Sequence, residues 1–308
     1  MPPFQLRGVF VPLVTPFDAA GEVDPGALRR LVDYLIGAGV HGLFVGGTTG
    51  EFPLLSTAER RQVAEIVAER AAGRVPVVVH AGAPSTRETI ELARHAQHIG
   101  APAVAVVAPY YFPLSDDALV AHYVRLSESV PGLPVLLYNI PQRTANALVP
   151  GLAARIVGRC PNVVGIKDSS GNLSQTIEYL SLRPDFQVAQ GADGLILAGL
   201  AAGIPATVSG NANVFPELVV AVFEAWWRGD LAGARAAQAR LTSVRHALGD
   251  GLDLSMFKRV LAHRGVPLGD VRAPLPPATD AAVQATIAAL EAALGVPVAE
   301  QRAPAAVV

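Results

Sequence analysis

Eight short runs of small and β-branched residues recur between Gly8 and Ser209, and that rhythm constrains the fold more than any other feature of the chain. The runs are Gly8–Val14, His41–Val45, Pro76–Ala81, Ala103–Ala108, Pro134–Asn139, Val163–Lys167, Gln187–Gln190 and Ala206–Ser209. Stretches such as Val-Pro-Val-Val-Val and Ala-Val-Ala-Val-Val-Ala are continuously apolar rather than alternating, the pattern of parallel strands buried on both faces. Amphipathic segments follow the runs, among them Pro25–Ile36, Thr57–Ala71, Ser85–Ile99 and Asp116–Glu128. Ser56 and Ser115 stand where helix N-caps belong, and Pro25 fits a first-turn position. Eight strand–helix units in about 230 residues predict an α/β fold, a (β/α)8 TIM barrel.

After Asp230 the strand signals stop. Leu231–Leu248, Ser255–Arg264 and Asp280–Leu294 read as helices. A catalytic barrel over residues 1–230 and a C-terminal helical domain over 231–308 are therefore expected. The tail from Glu300 has little in its sequence to anchor it. The apolar stretch Gly194–Val208 is interrupted by Gly199, Gly203 and Pro205. It is shorter than the roughly 18 residues of a membrane-spanning helix, so a buried helix running into a buried strand is expected there.

Composition removes several function classes. With 51% apolar and 16% charged residues in 308, the chain can bury a large core and is not of disordered type. A net charge of −2 offers no basic surplus for nucleic acid or an acidic membrane. Cys160 is the single cysteine, so no intrachain disulfide can form. The opening MPPFQLRG lacks a secretory pattern, and a cytoplasmic protein is expected.

Lysine is scarce. Of 24 basic residues only Lys167 and Lys258 are lysines, leaving 24 − 2 = 22 arginines. Arginine can replace lysine on a surface but not where chemistry needs a deprotonated amine. In a barrel the active site lies at the C-terminal strand ends. Lys167 ends the sixth run, directly after Val163-Val164-Gly165-Ile166. An ammonium there is poorly solvated, which favours the neutral amine, the nucleophile that attacks a ketone to form an iminium. The bland alternative is a snorkelling or salt-bridged lysine. Tyr138, at the end of the adjacent run, could move a proton if a hydroxyl relays it. Gly46-Gly47-Thr48-Thr49-Gly50-Glu51 offers two hydroxyls and flexible backbone N–H groups to a small carboxylate. Arg143 is a candidate carboxylate clamp or, more plainly, half of a surface ion pair. His80 ends the third run, where it can line the mouth of a pocket, although a structural histidine is the default reading. His95 and His98 lie three apart on a helix with no third metal ligand beside them, so neither a metal nor a cofactor is implied.

Two long patterns, GLFVGGTTGEFPLLSTAE at Gly42–Glu59 and YNIPQRTANAL…VVGIKD at Tyr138–Asp168, carry a resemblance. The chain resembles the dihydrodipicolinate synthase / N-acetylneuraminate lyase family of class I pyruvate-dependent aldolases, from Gly8 to about Gly295. The resemblance implies that Lys167 forms the iminium with pyruvate. It implies that Tyr138 is the acid/base, linked through the Thr48 hydroxyl to a Tyr111 that crosses from a neighbouring subunit. Thr48 and Thr49 would hold the pyruvate carboxylate, Gly191 and Val208 would offer backbone contacts, and Arg143 would hold the carboxylate of aspartate semialdehyde. A homotetramer built as a dimer of dimers is implied as well, with pyruvate and an aldehyde as substrates.

Some flanking residues depart from the synthase pattern. Pro109-Tyr110-Tyr111-Phe112-Pro113 is similar to sugar-acid lyases, Asp253–Lys258 replaces an Asn-Pro-x-Pro-x-Lys stretch, and Lys167 is followed by Asp168-Ser169-Ser170 rather than Glu-Ala. A 4-hydroxy-tetrahydrodipicolinate synthase is the first reading. A 2-keto-3-deoxy sugar acid aldolase or an N-acetylneuraminate lyase-like aldolase is the second. A non-catalytic barrel that binds keto acids is the reading from another class, and a metal-dependent class II aldolase lacks a ligand cluster in the sequence.

Overall fold

The computed structural model describes residues 4–249 and 253–301. Eight parallel strands close in chain order into a barrel: β1 (Gly8–Pro12), β2 (Gly42–Val45), β3 (Val77–His80), β4 (Ala103–Val107), β5 (Val135–Asn139), β6 (Val163–Asp168), β7 (Gln187–Gln190) and β8 (Ala206–Val208). The helices are α1 (Pro25–Gly37), α2 (Thr57–Ala71), α3 (Thr86–His98), α4 (Asp116–Ser129), α5 (Pro141–Thr144), α6 (Pro150–Val157), α7 (Leu173–Glu178), α8 (Ile196–Ala201), α9 (Pro216–Trp227), α10 (Leu231–Ala247), α11 (Leu254–His263) and α12 (Asp280–Leu294). The fold is the (β/α)8 TIM barrel expected from the strand rhythm, with further helices at its C-terminal end. Gly194–Val208 divides into the end of a 3-10 turn, α8 and β8. No described helix is long and apolar enough to cross a membrane.

The chain forms two compact units, residues 4–8 with Pro76–Val208, and Val9–Val75 with residues 209–301. In the first unit, β3 to β8 pair in parallel, with one register shift between β5 and β6 at Val135/Leu136. Val107 lies opposite Tyr138, Tyr138 opposite Lys167, and Lys167 opposite Ala189. Their apolar residues, such as Val104, Val106, Leu137 and Ile166, have no exposed surface, as strands covered on both faces require. The hydroxyl of the buried Tyr123 donates to the Val106 carbonyl at 3.1 Å, fastening α4 to β4 while satisfying the phenol.

In the second unit, β1 pairs with β2, Phe10 opposite Gly42. A Cβ on Gly42 would lie 2.2 Å from the Phe10 ring, so only glycine fits. Ser56 and Glu59 form a complete capping box at the start of α2, which satisfies two otherwise orphaned backbone donors. The tail expectation needs one correction. Val298–Glu300 is a 3-10 turn, and Gln301 accepts from Arg240 at 3.0 Å and also from Arg264, so long-range arginine contacts hold what local sequence did not. The rest of the tail lies outside the described residues.

Candidate active site

The first unit carries Lys167, Tyr138, Arg143, Tyr111, Gly191 and Val208. Register partners on adjacent strands project to the same side of a sheet, so Tyr138 and Lys167 project together. The Lys167 Nζ lies 4.0 Å from the centre of the Tyr138 ring, with Lys167 5% and Tyr138 2% exposed. The amine therefore rests against the aromatic face in an enclosed setting. His80, buried at the end of β3, meets the Tyr138 ring edge-to-face, with centroids 5.8 Å apart and planes at 84°. The structure thus brings together the lysine, the tyrosine and the histidine that ends the third strand.

The opposite side of the same strand ends carries a residue that sequence reasoning did not single out. Asp168 is fully buried. Its Oδ1 accepts from Asn139 Nδ2 at 2.8 Å and from the Ser170 N–H at 3.1 Å. Its Oδ2 accepts from Ser170 Oγ at 2.8 Å and from Thr176 Oγ1 at 2.6 Å. Four donors fill a carboxylate's lone pairs. Asn139 in turn accepts from the Leu148 N–H at 3.0 Å. This network joins β5, β6 and α7 one residue beyond Tyr138 and Lys167. Its one signal in the sequence was the Asp168-Ser169-Ser170 run, because an Asp side chain readily bonds the backbone two residues on.

Gly191 follows β7, and its N–H donates to the Asp168 carbonyl at 2.7 Å. A Cβ there would lie 2.1 Å from Ser169 Oγ and 2.9 Å from the Asp168 carbonyl oxygen. The chain must pass this close to β6, and glycine alone allows it. Val208 ends β8 and is buried.

Arg143 and Tyr111 lie on the loops after β5 and β4. Arg143 is exposed on α5 and forms no ion pair with any described residue, so the surface-pair reading finds no partner there. The segment around it is fixed: Gln142 Nε2 donates to the Ser170 carbonyl at 2.8 Å, and Thr144 Oγ1 to the Asn146 carbonyl at 2.7 Å. Asn146 Nδ2 donates to the carbonyls of Pro109 at 2.7 Å and Phe112 at 2.9 Å, tying the two loops together. Tyr111 has φ 83°, a conformation costly for a bulky residue. It is 82% exposed and stacks edge-on against Phe112 at 4.9 Å.

Thr48 and Thr49 belong to the second unit. β2 runs into Gly46, whose φ of 69° turns the chain, and Thr48–Gly50 form a 3-10 turn closed by the Glu51 N–H on the Thr48 carbonyl at 3.1 Å. Both threonines are half-buried. Thr15 Oγ1 donates to the Gly50 carbonyl at 2.7 Å, and a Cβ on Gly50 would lie 2.9 Å from the Leu13 carbonyl oxygen.

The model of the dihydrodipicolinate synthetase family matches residues 5–293. A 4-hydroxy-tetrahydrodipicolinate synthase of Sorangium cellulosum is 42% identical over 286 residues, covering 92% of this chain and 95% of the relative. An uncharacterized DapA-like lyase of Halobacterium salinarum is 41% identical over 274 residues, covering 89% of each. The crystal structure of YagE, a prophage protein of the dihydrodipicolinic acid synthase family from E. coli K12 in complex with pyruvate, superposes with a TM-score of 0.89. It is 31% identical, covering 94% of this chain and 98% of that one.

Proposed function

We propose, for a chain that belongs to the dihydrodipicolinate synthetase family and is therefore a class I lyase, that Lys167 forms an iminium with pyruvate and that aspartate semialdehyde is the second substrate. The product would be 4-hydroxy-tetrahydrodipicolinate. The observation that carries the reading is the enclosed pair of Lys167 and Tyr138, with the amine nitrogen 4.0 Å from the ring centre. The neutral amine attacks the pyruvate C2 carbonyl carbon. Protonation of the resulting carbinolamine oxygen releases water and leaves the iminium. Loss of a proton from C3 gives the enamine, which attacks the aldehyde carbon. The aldehyde oxygen takes up a proton to become the hydroxyl, and the second substrate's amine then displaces Lys167 from the iminium carbon, closing the ring and freeing the lysine. Tyr138 supplies and removes these protons.

Thr48 and Thr49 hold the pyruvate carboxylate on hydroxyl and backbone donors, and the Thr48 hydroxyl links Tyr138 to a Tyr111 from a partner chain. Gly191 and Val208 present backbone groups near the lysine. Arg143, exposed and without a carboxylate partner among the described residues, is the clamp for the second substrate's carboxylate. In this reading the enzyme is a homotetramer that needs no cofactor. A specific feature favours a second reading: Tyr110-Tyr111-Phe112-Pro113 is similar to sugar-acid lyases, which would make the second substrate a sugar-derived aldehyde.

Borohydride reduction in the presence of pyruvate tests the common step. A stable adduct on Lys167 with Lys258 unmodified is expected from a peptide map. An adduct on Lys258 alone, or none, would overturn the reading.

A further inference from the structure

A buried ion pair joins the C-terminal helices to the turn after β2. The Lys258 side chain on α11 has no exposed surface, and its Nζ lies 2.7 Å from Oε1 of Glu51, whose side chain is equally enclosed. The same Nζ donates to the Asp270 carbonyl at 2.8 Å and sits 4.4 Å from the centre of the Phe17 ring. Glu51 Oε2 accepts from the Arg272 N–H at 2.9 Å. Arg272 is fixed in turn, donating to the Leu54 carbonyl at 3.0 Å, the Gly21 carbonyl at 2.6 Å and Glu59 Oε1 at 2.6 Å. Two residues of the C-terminal segment therefore hold Glu51 from two sides.

Removing both charges from water is costly, and such a pair rarely outperforms apolar residues of equal volume. Burial pushes the Lys258 amine below the ordinary lysine range, and Glu51 opposes that shift. What the Lys258 charge on Oε1 and the Arg272 N–H on Oε2 together supply, and an apolar contact does not, is a fixed place for the Glu51 carboxylate. That place matters at Glu51, whose backbone is left-handed at φ 58°, ψ 30°. A non-glycine residue stays there only where its surroundings impose it. Its N–H closes the turn on the Thr48 carbonyl, so its conformation sets where Thr48 and Thr49 stand.

We propose that Glu51 and Lys258 form a positioning clamp that locks the turn presenting Thr48 and Thr49, making α11 a working part of the site for the pyruvate carboxylate. The inference rests on the reading that those threonines bind that carboxylate; neither clamp residue touches substrate.

Lys258→Met removes the charge at similar volume, and Glu51→Gln with Lys258→Met removes both charges. Three quantities are read on the full chain: the pyruvate concentration for half-maximal borohydride adduct at Lys167, amide hydrogen exchange at Gly50–Phe52, and the melting temperature. Lys258→Met is expected to raise the half-saturating concentration by roughly 10- to 100-fold, the scale of a small misplacement. It should also lower the melting temperature and the protection of those amides. The double variant is expected to recover the melting temperature but neither affinity nor protection. An unchanged half-saturating concentration in the single variant overturns the clamp. So does a double variant that recovers affinity and stability together, because the pair then only balances charge. If Lys258→Met does not fold, the double variant alone decides by the same criteria. If the wild-type chain gives no adduct, the pyruvate reading fails and amide exchange judges the clamp by itself.

Discussion

Tyr138 and Lys167 are register partners on adjacent parallel strands, and the lysine nitrogen rests 4.0 Å from the centre of the tyrosine ring. The ring and the hydroxyl of Tyr138 can therefore be separated by experiment, since phenylalanine keeps one and removes the other.

Tyr138→Phe should lower turnover by roughly 100-fold or more, the scale of a lost general acid–base group. The aromatic face beside Lys167 remains, so the pyruvate adduct should still form on borohydride treatment. Turnover measured beside adduct yield checks this, and full activity in the variant would remove Tyr138 from the proton path.

Asp168→Ala should destabilise the fold without touching substrate. The change orphans the buried Asn139 Nδ2 donor, at a cost of about 1–3 kcal/mol, whereas the Thr176 hydroxyl can turn to the Asn172 carbonyl 3.0 Å away. A loss of about 1–3 kcal/mol in denaturant unfolding is expected. A loss below about 1 kcal/mol, less than one orphaned donor costs, would mean that water replaces the carboxylate.

Arg143→Ala should act on the second substrate alone. Losing a charge-assisted hydrogen bond of about 1.5–3 kcal/mol corresponds to roughly 10- to 150-fold in KM for aspartate semialdehyde. Pyruvate trapping and melting temperature should not change, because the side chain is exposed and pairs with no described carboxylate. If KM for every acidic aldehyde stays constant, the sugar-acid aldolase becomes the better reading.

Assembly should be required for activity. Tyr111, Phe112 and Leu114 are 82%, 67% and 38% exposed, an apolar cluster of the kind that marks protein interfaces. Sedimentation should find at least a dimer at working concentrations, with a tetramer as the full assembly. Dilution below the dissociation range should abolish turnover. A fully active monomer would rule out a Tyr111 shared between subunits.

Local sequence determined much of this protein. All eight strands were legible, most because strands buried on both faces are written as short continuous apolar runs and β7, Gln-Val-Ala-Gln, through the strand–helix rhythm, and the Ser56 cap with Glu59 three residues on was legible because a capping box is a near-neighbour motif. Lys167 and Tyr138 could be singled out because they end adjacent runs. Tertiary structure alone decided the rest. That Asp168 would gather donors from β5 and α7, that His80 would meet the Tyr138 ring, and that Lys258 would be buried against Glu51 follow from contacts between residues far apart in the chain. Propensity and periodicity act over a few neighbours, whereas an ion pair or a buried hydrogen bond depends on which distant groups the closed fold shields from water together.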